Sequence, residues 1–387
     1  MHICFFTHYT AMMGANRSML ELIDNLQKLG LKITVITNGY GELNSELDKR
    51  TIFNRSFDMY PWLMIKKGRN RILWPLKRCY YPYKNKKNIR EIVACLQERN
   101  IDIIHTNNSV IDVGARVAAN MHIPHVWHIR EYGRYDYNLE FLYGDKYSIS
   151  YMQENSAAII FISQDLAKSY IERVSDITDF SVIFDGVALN NYSVKRDFSI
   201  YEDDVLNLVV CGLVTPHKNQ IEVLQAISIL PANVKKHLRC QIVGGGGKKY
   251  LSKLQAFCRD KEIADIVEFL GYRNDVPEIL KKAHIAVMPS HREAFGRVTV
   301  EYMMAGLGVI ASDTGANPEI IQDGVTGKIY HLGDINALAE CIADFVNNRD
   351  KLVRIATTGH DNALVEFDSM NCAQKVLAIY RQINNED

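Results

Sequence analysis

Short apolar runs recur along this chain, and each is followed by a longer amphipathic stretch before the next run begins. "HICFFT" (2–7) leads into "RSMLELIDNLQKLG" (17–30), in which Met19, Leu22, Ile23, Leu26 and Leu29 share one helical face. Gly30 supplies a helix stop, and "LKITVIT" (31–37) returns as the next strand. "IDIIHTN" (101–107), "PHVWHI" (124–129) and "AAIIFIS" (157–163) keep the rhythm. The pattern predicts βαβ units on a parallel sheet covered on both faces.

A second series begins near residue 205 with "VLNLVVCG", "RCQIVGGGG", "IVEFLG", "AHIAVMPS", "GVIASD" and "GKIYHL". Helix-like segments lie between them, for example 219–230 and 275–282. A chain of 387 residues exceeds what one core readily serves, so two domains are expected. The polar, aperiodic span 185–204 reads as the connection between them. The expected division is 1–188 and 189–367, with a C-terminal helix of about 368–387 packing back on the first domain. The fold class is α/β, as two Rossmann-like halves with a cleft between them.

The net charge is zero, so the chain as a whole makes no electrostatic case for nucleic acid. Eight scattered cysteines without a C-x-x-C pair argue against a metal cluster or disulfide framework and for a reducing, cytoplasmic setting. No signal peptide and no membrane-spanning run is expected. One segment breaks the pattern. From Lys66 to Arg90 there are ten Lys or Arg and no acid, interleaved with Trp74, Tyr80, Tyr81 and Tyr83. Pro75 and Pro82 speak against one long helix here. The segment reads either as a solvated basic loop or as a surface for anionic lipid head groups.

The string "REAFGRVTVEYMMAGLGVIASDTGANPEII" (292–321) concentrates the chemistry. A strand ends before it, a loop carries Glu293, and a helix is expected from Arg297 to Ala305, closed by Gly306. The start of such a helix has unpaired N–H groups that suit a phosphate, and carboxylates accept from sugar hydroxyls. On the spacing alone, Glu301 as a surface residue and Glu293 as an acid favoured by the helix dipole would serve equally well.

Taken whole, the string resembles the family-4 retaining glycosyltransferases of the GT-B fold. The resemblance rests on Ser290, Glu293, Phe295, Gly296, Glu301, Met303 or Met304, Gly306, "VIASD" and Glu319. "MGANRSMLELIDNL" (13–26) is similar to that family's N-terminal glycine loop, with Gly14 and Ala15 beside the donor diphosphate and Met13 where a first glycine is common. "PHVWHIREYG" (124–133) places His128 like the family histidine near the donor sugar. "VVCGLVTPHKNQIEVLQAI" (209–227) resembles the segment whose Arg and Lys clamp the diphosphate. Lys218 matches the Lys, but Leu213 stands at the Arg position. Arg17, His217 or Arg297 are the candidate replacements. "IVGGGG" (242–247, with Gly244) and "GYRNDVPEIL" (271–280) correspond to segments lining the nucleotide base; four glycines in a row also read as a flexible loop.

The resemblance implies transfer of a sugar from a nucleotide-diphosphate sugar, a UDP-sugar favoured, to a glycan acceptor, with retained configuration and with neither cofactor nor metal. Glu301 would hold ribose hydroxyls and Glu293 those of the sugar. The Phe295–Arg297 backbone with Lys218 would take the diphosphate, and His128 would stabilise the reacting end. A lipid-linked acceptor would place the protein at the inner face of the cell membrane, with residues 66–90 as the contact. The alternatives are a sugar-nucleotide epimerase of the same fold and a non-catalytic sugar-nucleotide-binding relative.

Overall fold

The structure, a computed structural model, describes residues 1–174, 179–188, 192 and 204–385, with only the backbone of Tyr137. Of the expected connection 185–204, residues 189–191 and 193–203 lie outside the described residues. The chain forms two compact units, Met1–Gly186 with Ser369–Asp387, and Val187–Asp368.

The first unit contains strands β1 (His2–Thr7), β2 (Lys32–Thr37), β3 (Phe53–Ser56), β4 (Leu63–Ile65), β5 (Ile103–Asn107), β6 (His125–Ile129), β7 (Leu139–Phe141), β8 (Ala158–Phe161) and β9 (Ser181–Val182). Seven of them make one parallel sheet in the order β3-β2-β1-β5-β6-β8-β9, while β4 and β7 pair antiparallel. Side chains alternate across β1 as strand geometry requires. Ile3 and Phe5 meet Met19, Leu22, Ile23 and Leu26 of the helix Gly14–Lys28 on one face. The same cluster takes Ala373, Val376, Leu377 and Tyr380 from the helix Ser369–Asn384, and Asn25 Nδ2 donates to Ser369 Oγ at 2.9 Å. Cys4 and Phe6 point the other way, into Ile89, Ile92 and Leu96 of the helix Trp74–Leu96 and Val113 and Val117 of the helix Val113–Met121. Each such aliphatic side chain, fully buried, contributes about 1.5–3 kcal/mol.

The helix Trp74–Leu96 corrects the expectation drawn from Pro75 and Pro82. Pro75 sits in the first turn, where its missing N–H costs nothing. Pro82 lies inside the helix and cannot donate to the carbonyl four residues back, that of Arg78. The Tyr143 hydroxyl donates to that carbonyl instead, at 3.1 Å. A tertiary contact thus supplies the hydrogen bond that the sequence withholds, and the helix continues.

The second unit holds β10 (Leu206–Cys211), β11 (Leu238–Val243), β12 (Val267–Gly271), β13 (Ile285–Met288), β14 (Gly308–Ser312) and β15 (Lys328–Tyr330). They form a parallel sheet ordered β12-β11-β10-β13-β14-β15. Its core joins Leu208, Val210, Ile242, Ile285, Val287 and Ile310 to Val223, Leu224 and Ile227 of the helix Gln220–Ile229 and to Leu338, Ile342 and Phe345 of the helix Ile335–Asn347. In each sheet the strand order reverses once, between β1 and β5 and between β10 and β13. Loops leaving the carboxyl ends of strands beside such a reversal diverge and leave a crevice for a ligand. Among the described residues no helix is long and apolar enough to cross a membrane.

Candidate functional site

Beyond β10 the backbone turns at Gly212, φ +143°, and beyond β11 at Gly244, φ +147°. A methyl group on Gly244 would overlap the Gly212 carbonyl, and one on Gly246 would overlap Val214. Gly244 N–H donates to the Gly271 carbonyl at 2.8 Å, and Val214 N–H to the Gly245 carbonyl at 2.8 Å. The glycine run is therefore no flexible loop; it lets the ends of β10, β11 and β12 pack backbone to backbone.

The chain then makes a short 3₁₀ turn, Pro216–Lys218. Two contacts fasten this turn to the loop after β13: His291 N–H donates to the His217 carbonyl at 3.0 Å, and His217 Nε2 lies 3.2 Å from the Arg292 carbonyl. They bring Lys218 Nζ to 2.5 Å from Glu293 Oε1, with the two side chains 28% and 14% exposed. Burial opposes charge on Glu293, but the Lys218 ammonium, a Ser290 hydrogen bond and nearby His217 outweigh it and hold the carboxyl below its ordinary range. An ammonium and a carboxylate thus face each other across the reversal between β10 and β13.

The segment after β14 braces Glu293 from behind. The Glu293 carbonyl accepts from Ala316 N–H at 2.9 Å, and a methyl on Gly315 (φ +60°) would overlap the Glu293 backbone. Ser312 Oγ and Thr314 Oγ1 donate to the Ser290 carbonyl at 2.9 and 3.1 Å. Buried Asn317 accepts from Thr299 Oγ1 at 3.0 Å and donates to the Ser312 carbonyl at 3.2 Å. Gly296, φ +86°, starts the helix Arg297–Met304, close to the span expected. One turn in, Arg297 Nε donates to Glu301 Oε1 at 3.0 Å, each side chain 15% exposed. Cys211 N–H donates to the buried Tyr302 hydroxyl at 2.5 Å, which ties this helix to the end of β10. The Phe295 ring is buried 6.0 Å from Phe367. Leu213 is half exposed.

In the first unit the loop after β1 is organised by Asn16. Fully buried, it accepts from Thr7 Oγ1 at 3.0 Å and donates to the carbonyls of Tyr9 and Ala11 at 3.0 and 2.9 Å. Gly14 follows the helix N-cap Met13 with open space where a Cβ would stand, and Ala15 is half-buried. Arg17 is exposed, its Nε donating to the Met12 carbonyl at 3.2 Å. Across the reversal between β1 and β5, Asn108 Nδ2 meets His8 Nδ1 at 2.5 Å. Burial pushes the His8 imidazole down to about 4, so it is neutral at physiological pH. Asn108 is buried with φ +129°, a sparsely populated conformation that the surrounding structure must hold.

His128 lies near the end of β6, as expected, with its side chain buried. Its ring is fully buried in β6, 3.2 Å from His105 Nε2 through Nδ1, with Arg130 Nη2 at 3.3 Å. His105 in turn meets the Tyr380 hydroxyl at 2.7 Å, and Arg130 is paired with Asp185. Burial, then the Arg130 charge, drives the His128 imidazole well below its ordinary range, and Nε2 has no partner among the described residues. Within the first unit the imidazole thus has no exposed atom.

The basic segment also needs a correction. Trp74 is buried, donating through Nε1 to the Leu142 carbonyl at 3.2 Å, and Lys66 is paired with Glu140 at 3.1 Å. The large apolar groups of this segment that reach solvent are Ile72 (80% exposed), Leu76 (67%), Tyr80 (48%) and Tyr83 (74%). Among the described residues no group of three or more His, Cys, Asp or Glu is placed to hold a metal ion.

A sequence profile described as "Glycosyltransferase Family 4" matches residues 12–191, and one described as "Glycosyl transferases group 1" matches residues 195–361. The chain belongs to glycosyltransferase family 4. This family-4 chain is 26% identical to an uncharacterized glycosyltransferase of Methanocaldococcus jannaschii over 307 residues, covering 78% of this chain and 80% of the relative. It is 22% identical over 318 residues to the UDP-Gal:alpha-D-GlcNAc-diphosphoundecaprenol alpha-1,3-galactosyltransferase of Escherichia coli, covering 79% and 78%. The Anabaena protein HepE, solved in complex with UDP, matches with a TM-score of 0.82 at 20% identity, over 99% of this chain and all of that one. The fold of this family-4 glycosyltransferase is GT-B.

Sequence reasoning found the charged residues of the second unit but missed Gly315, Asn317, Asn16, His8 and Asn108. One signal was legible: clusters of Asn, Asp, Gly, Ser and Thr directly after an apolar strand mark turns whose side chains hold the backbone, as in "SDTGAN" and "TNNS".

Proposed function

We propose that the protein transfers a sugar from a nucleotide-diphosphate sugar, with UDP as the favoured nucleotide, to a glycan acceptor carried on a lipid, with retention of configuration and without a metal. The observation that carries this reading is the Lys218–Glu293 pair at the strand reversal, beside the start of the helix Arg297–Met304. Each charge is held part-buried by the other, so an incoming donor finds both already desolvated and oriented. In this reading the donor diphosphate takes Lys218 and the N–H groups of the helix start, with Arg297 replacing the cation absent at Leu213. The sugar hydroxyls take Glu293 and the ribose takes Glu301. The bond between the anomeric carbon and the diphosphate oxygen breaks as the acceptor oxygen bonds to the same face. The acceptor proton leaves with the diphosphate. Cations on the departing diphosphate lower the barrier because charge grows there in the transition state. UDP and UDP-glucose in the Anabaena structures, and the lipid diphosphate in the name of the Escherichia coli enzyme, support these choices of donor and acceptor.

UDP titrations by calorimetry, with released UDP measured in the presence of acceptor, test the reading. Glu301→Ala should weaken UDP binding, whereas Glu293→Ala should leave it within a few-fold and depress turnover. Donor converted to its epimer without acceptor would identify an epimerase, and binding without UDP release a non-catalytic relative. Membrane contact would follow from Ile72, Leu76 and Tyr83 flanked by Lys67, Arg69 and Arg71. Each cation near an anionic bilayer contributes about 1 kcal/mol. Co-sedimentation with anionic vesicles should be lost in high salt and in the triple Gln variant of those three cations; absence of co-sedimentation at low salt would favour a soluble acceptor.

A further inference from the structure

The first unit contains a cavity of about 500 Å³ between the helices Trp74–Leu96 and Val113–Met121. That lies within the ~300–1,000 Å³ usual for small-molecule sites. One wall is the face of the first helix that carries Tyr81, Asn85, Lys86, Ile89 and Arg90, one to two turns apart. The other is Asp112, Arg116, Ala119 and Asn120. Trp62, Tyr143 and Tyr151 close the ends, with Trp62 and Tyr151 edge to face at 5.6 Å.

Arg116 is the unusual group. Its Nε donates to Asp112 Oδ2 at 2.6 Å, and its guanidinium lies 5.2 Å from the Tyr151 ring centre. Its side chain is one-third exposed and that of Asp112 only 6%. The guanidinium is thus locked in orientation by a buried carboxylate and an aromatic face. Both Nη groups have no hydrogen-bond partner among the described residues and are in reach of solvent at the cavity. An Arg held through Nε presents its Nη pair as a fork for a carboxylate or phosphate. From the facing helix, Lys86 and Arg90 are exposed and have no acidic partner among the described residues. Asp112 is the one carboxylate in the lining and is spent on Arg116, so the cavity keeps an excess of positive charge. The remaining lining mixes aromatic side chains with Pro61, Pro82 and Leu142, an apolar surface compatible with the C–H groups of a pyranose, with Asn120 Oδ1 as a hydroxyl acceptor.

We propose that this cavity binds an anionic sugar, a pyranose bearing a carboxylate or a phosphate, whose charge sits on the Arg116 Nη groups and is closed over by Lys86 and Arg90. Regarding that sugar as part of the acceptor rests on the reading given above; the binding itself does not. The site is separate from every residue assigned to the donor, so it can be occupied with or without UDP.

The test is direct calorimetric binding to the full chain of methyl glucuronide and glucose 6-phosphate, with methyl glucoside and inorganic phosphate as controls, each without and with saturating UDP. At least one charged sugar should bind saturably, at least tenfold tighter than methyl glucoside and than phosphate. Arg116→Gln should weaken it at least tenfold. The exposed pair Lys86→Gln/Arg90→Gln should weaken it several-fold with an unchanged melting temperature, which keeps the test valid if Arg116→Gln, by leaving Asp112 buried alone, fails to fold. The proposal is overturned if neither charged sugar binds, if the neutral sugar or phosphate binds equally well, or if the Lys86/Arg90 variant binds as wild type. UDP titrations judge the transfer reading independently, so the two can fail separately.

Discussion

The two strand reversals of this molecule are built alike and equipped differently. Beside the reversal of the second sheet stand Lys218 and Glu293, an ion pair with both members in reach of solvent. Beside that of the first sheet stand His8 and Asn108, a neutral pair, the imidazole held uncharged by burial. The polar groups deeper in the first unit are sealed further: His128 and Arg130 are buried against His105, Tyr380 and Asp185, and Glu131 is buried on Ser109. A parallel sheet therefore supplies the place for a site but not its charge. Whether that place carries charge depends on whether a rigid neighbour, here the segment Ser312–Asn317, can hold an ion pair part-exposed without letting it collapse.

Four experiments would break or sharpen the contrast. The largest effect belongs to the backbone beneath the charged reversal. Gly244→Ala puts a methyl on the Gly212 carbonyl at φ +147° and should cost about 4 kcal/mol of stability by denaturant unfolding. Gly14→Ala, with nothing in its way, should cost less than about 1 kcal/mol. Equal losses would mean that the glycines of the second unit are not holding strand ends together.

Glu293→Ala comes next. In the proposed role of orienting the sugar, its loss should lower turnover about a hundredfold, on the order of 2.7 kcal/mol, as UDP released per enzyme. Turnover within threefold of wild type would remove Glu293 from the mechanism.

The neutral side is tested by pH. Burial, against the hydrogen bonds from Ser109, raises the Glu131 carboxyl to about 7. The folded state then holds its proton more tightly than the unfolded chain. The group's contribution to stability is therefore full below about pH 4.5 and is lost as pH rises through about 7. Glu131→Gln, whose amide oxygen can still accept from Ser109, should nearly match wild type near pH 4.5 and exceed it by about 3 kcal/mol at pH 8. A pH-independent difference would show that Glu131 is ionised throughout.

The smallest effect concerns Leu213. Because the side chain is half exposed, Leu213→Arg should leave the melting temperature unchanged and tighten UDP binding a few-fold, more at low salt. Unchanged affinity would mean that a cation already present, with Arg297 the nearest in sequence to the helix start, fills the role.

The alternation of apolar runs with amphipathic stretches was enough to read both sheets and most of their helices, because strand and helix periods are local properties of the chain. The same holds for the helix at 297, whose Gly-Arg start and closing Gly306 are local signals. Other features were not local. Pro82 argued for a broken helix until Tyr143, 61 positions later, took over the Arg78 carbonyl. Trp74 looked interfacial from its basic neighbours, yet the Leu142 carbonyl and the strand pair β4–β7 bury it. His128, placed by its position at a strand end, turned out to face a core completed by Tyr380 from the C-terminal helix.

By itself, then, the sequence determined the parallel α/β character of both units, the apolar faces, and the two glutamates and one lysine around which a site could form. Only the tertiary structure decided that Lys218 meets Glu293, that Gly315 and Asn317 brace that pair from β14, and that Arg116 keeps its Nη groups unpartnered in a cavity. Periodicity is written along the chain, residue by residue. The partnerships that decided the rest join groups 65 to 275 positions apart, and no local pattern encodes which of them will meet.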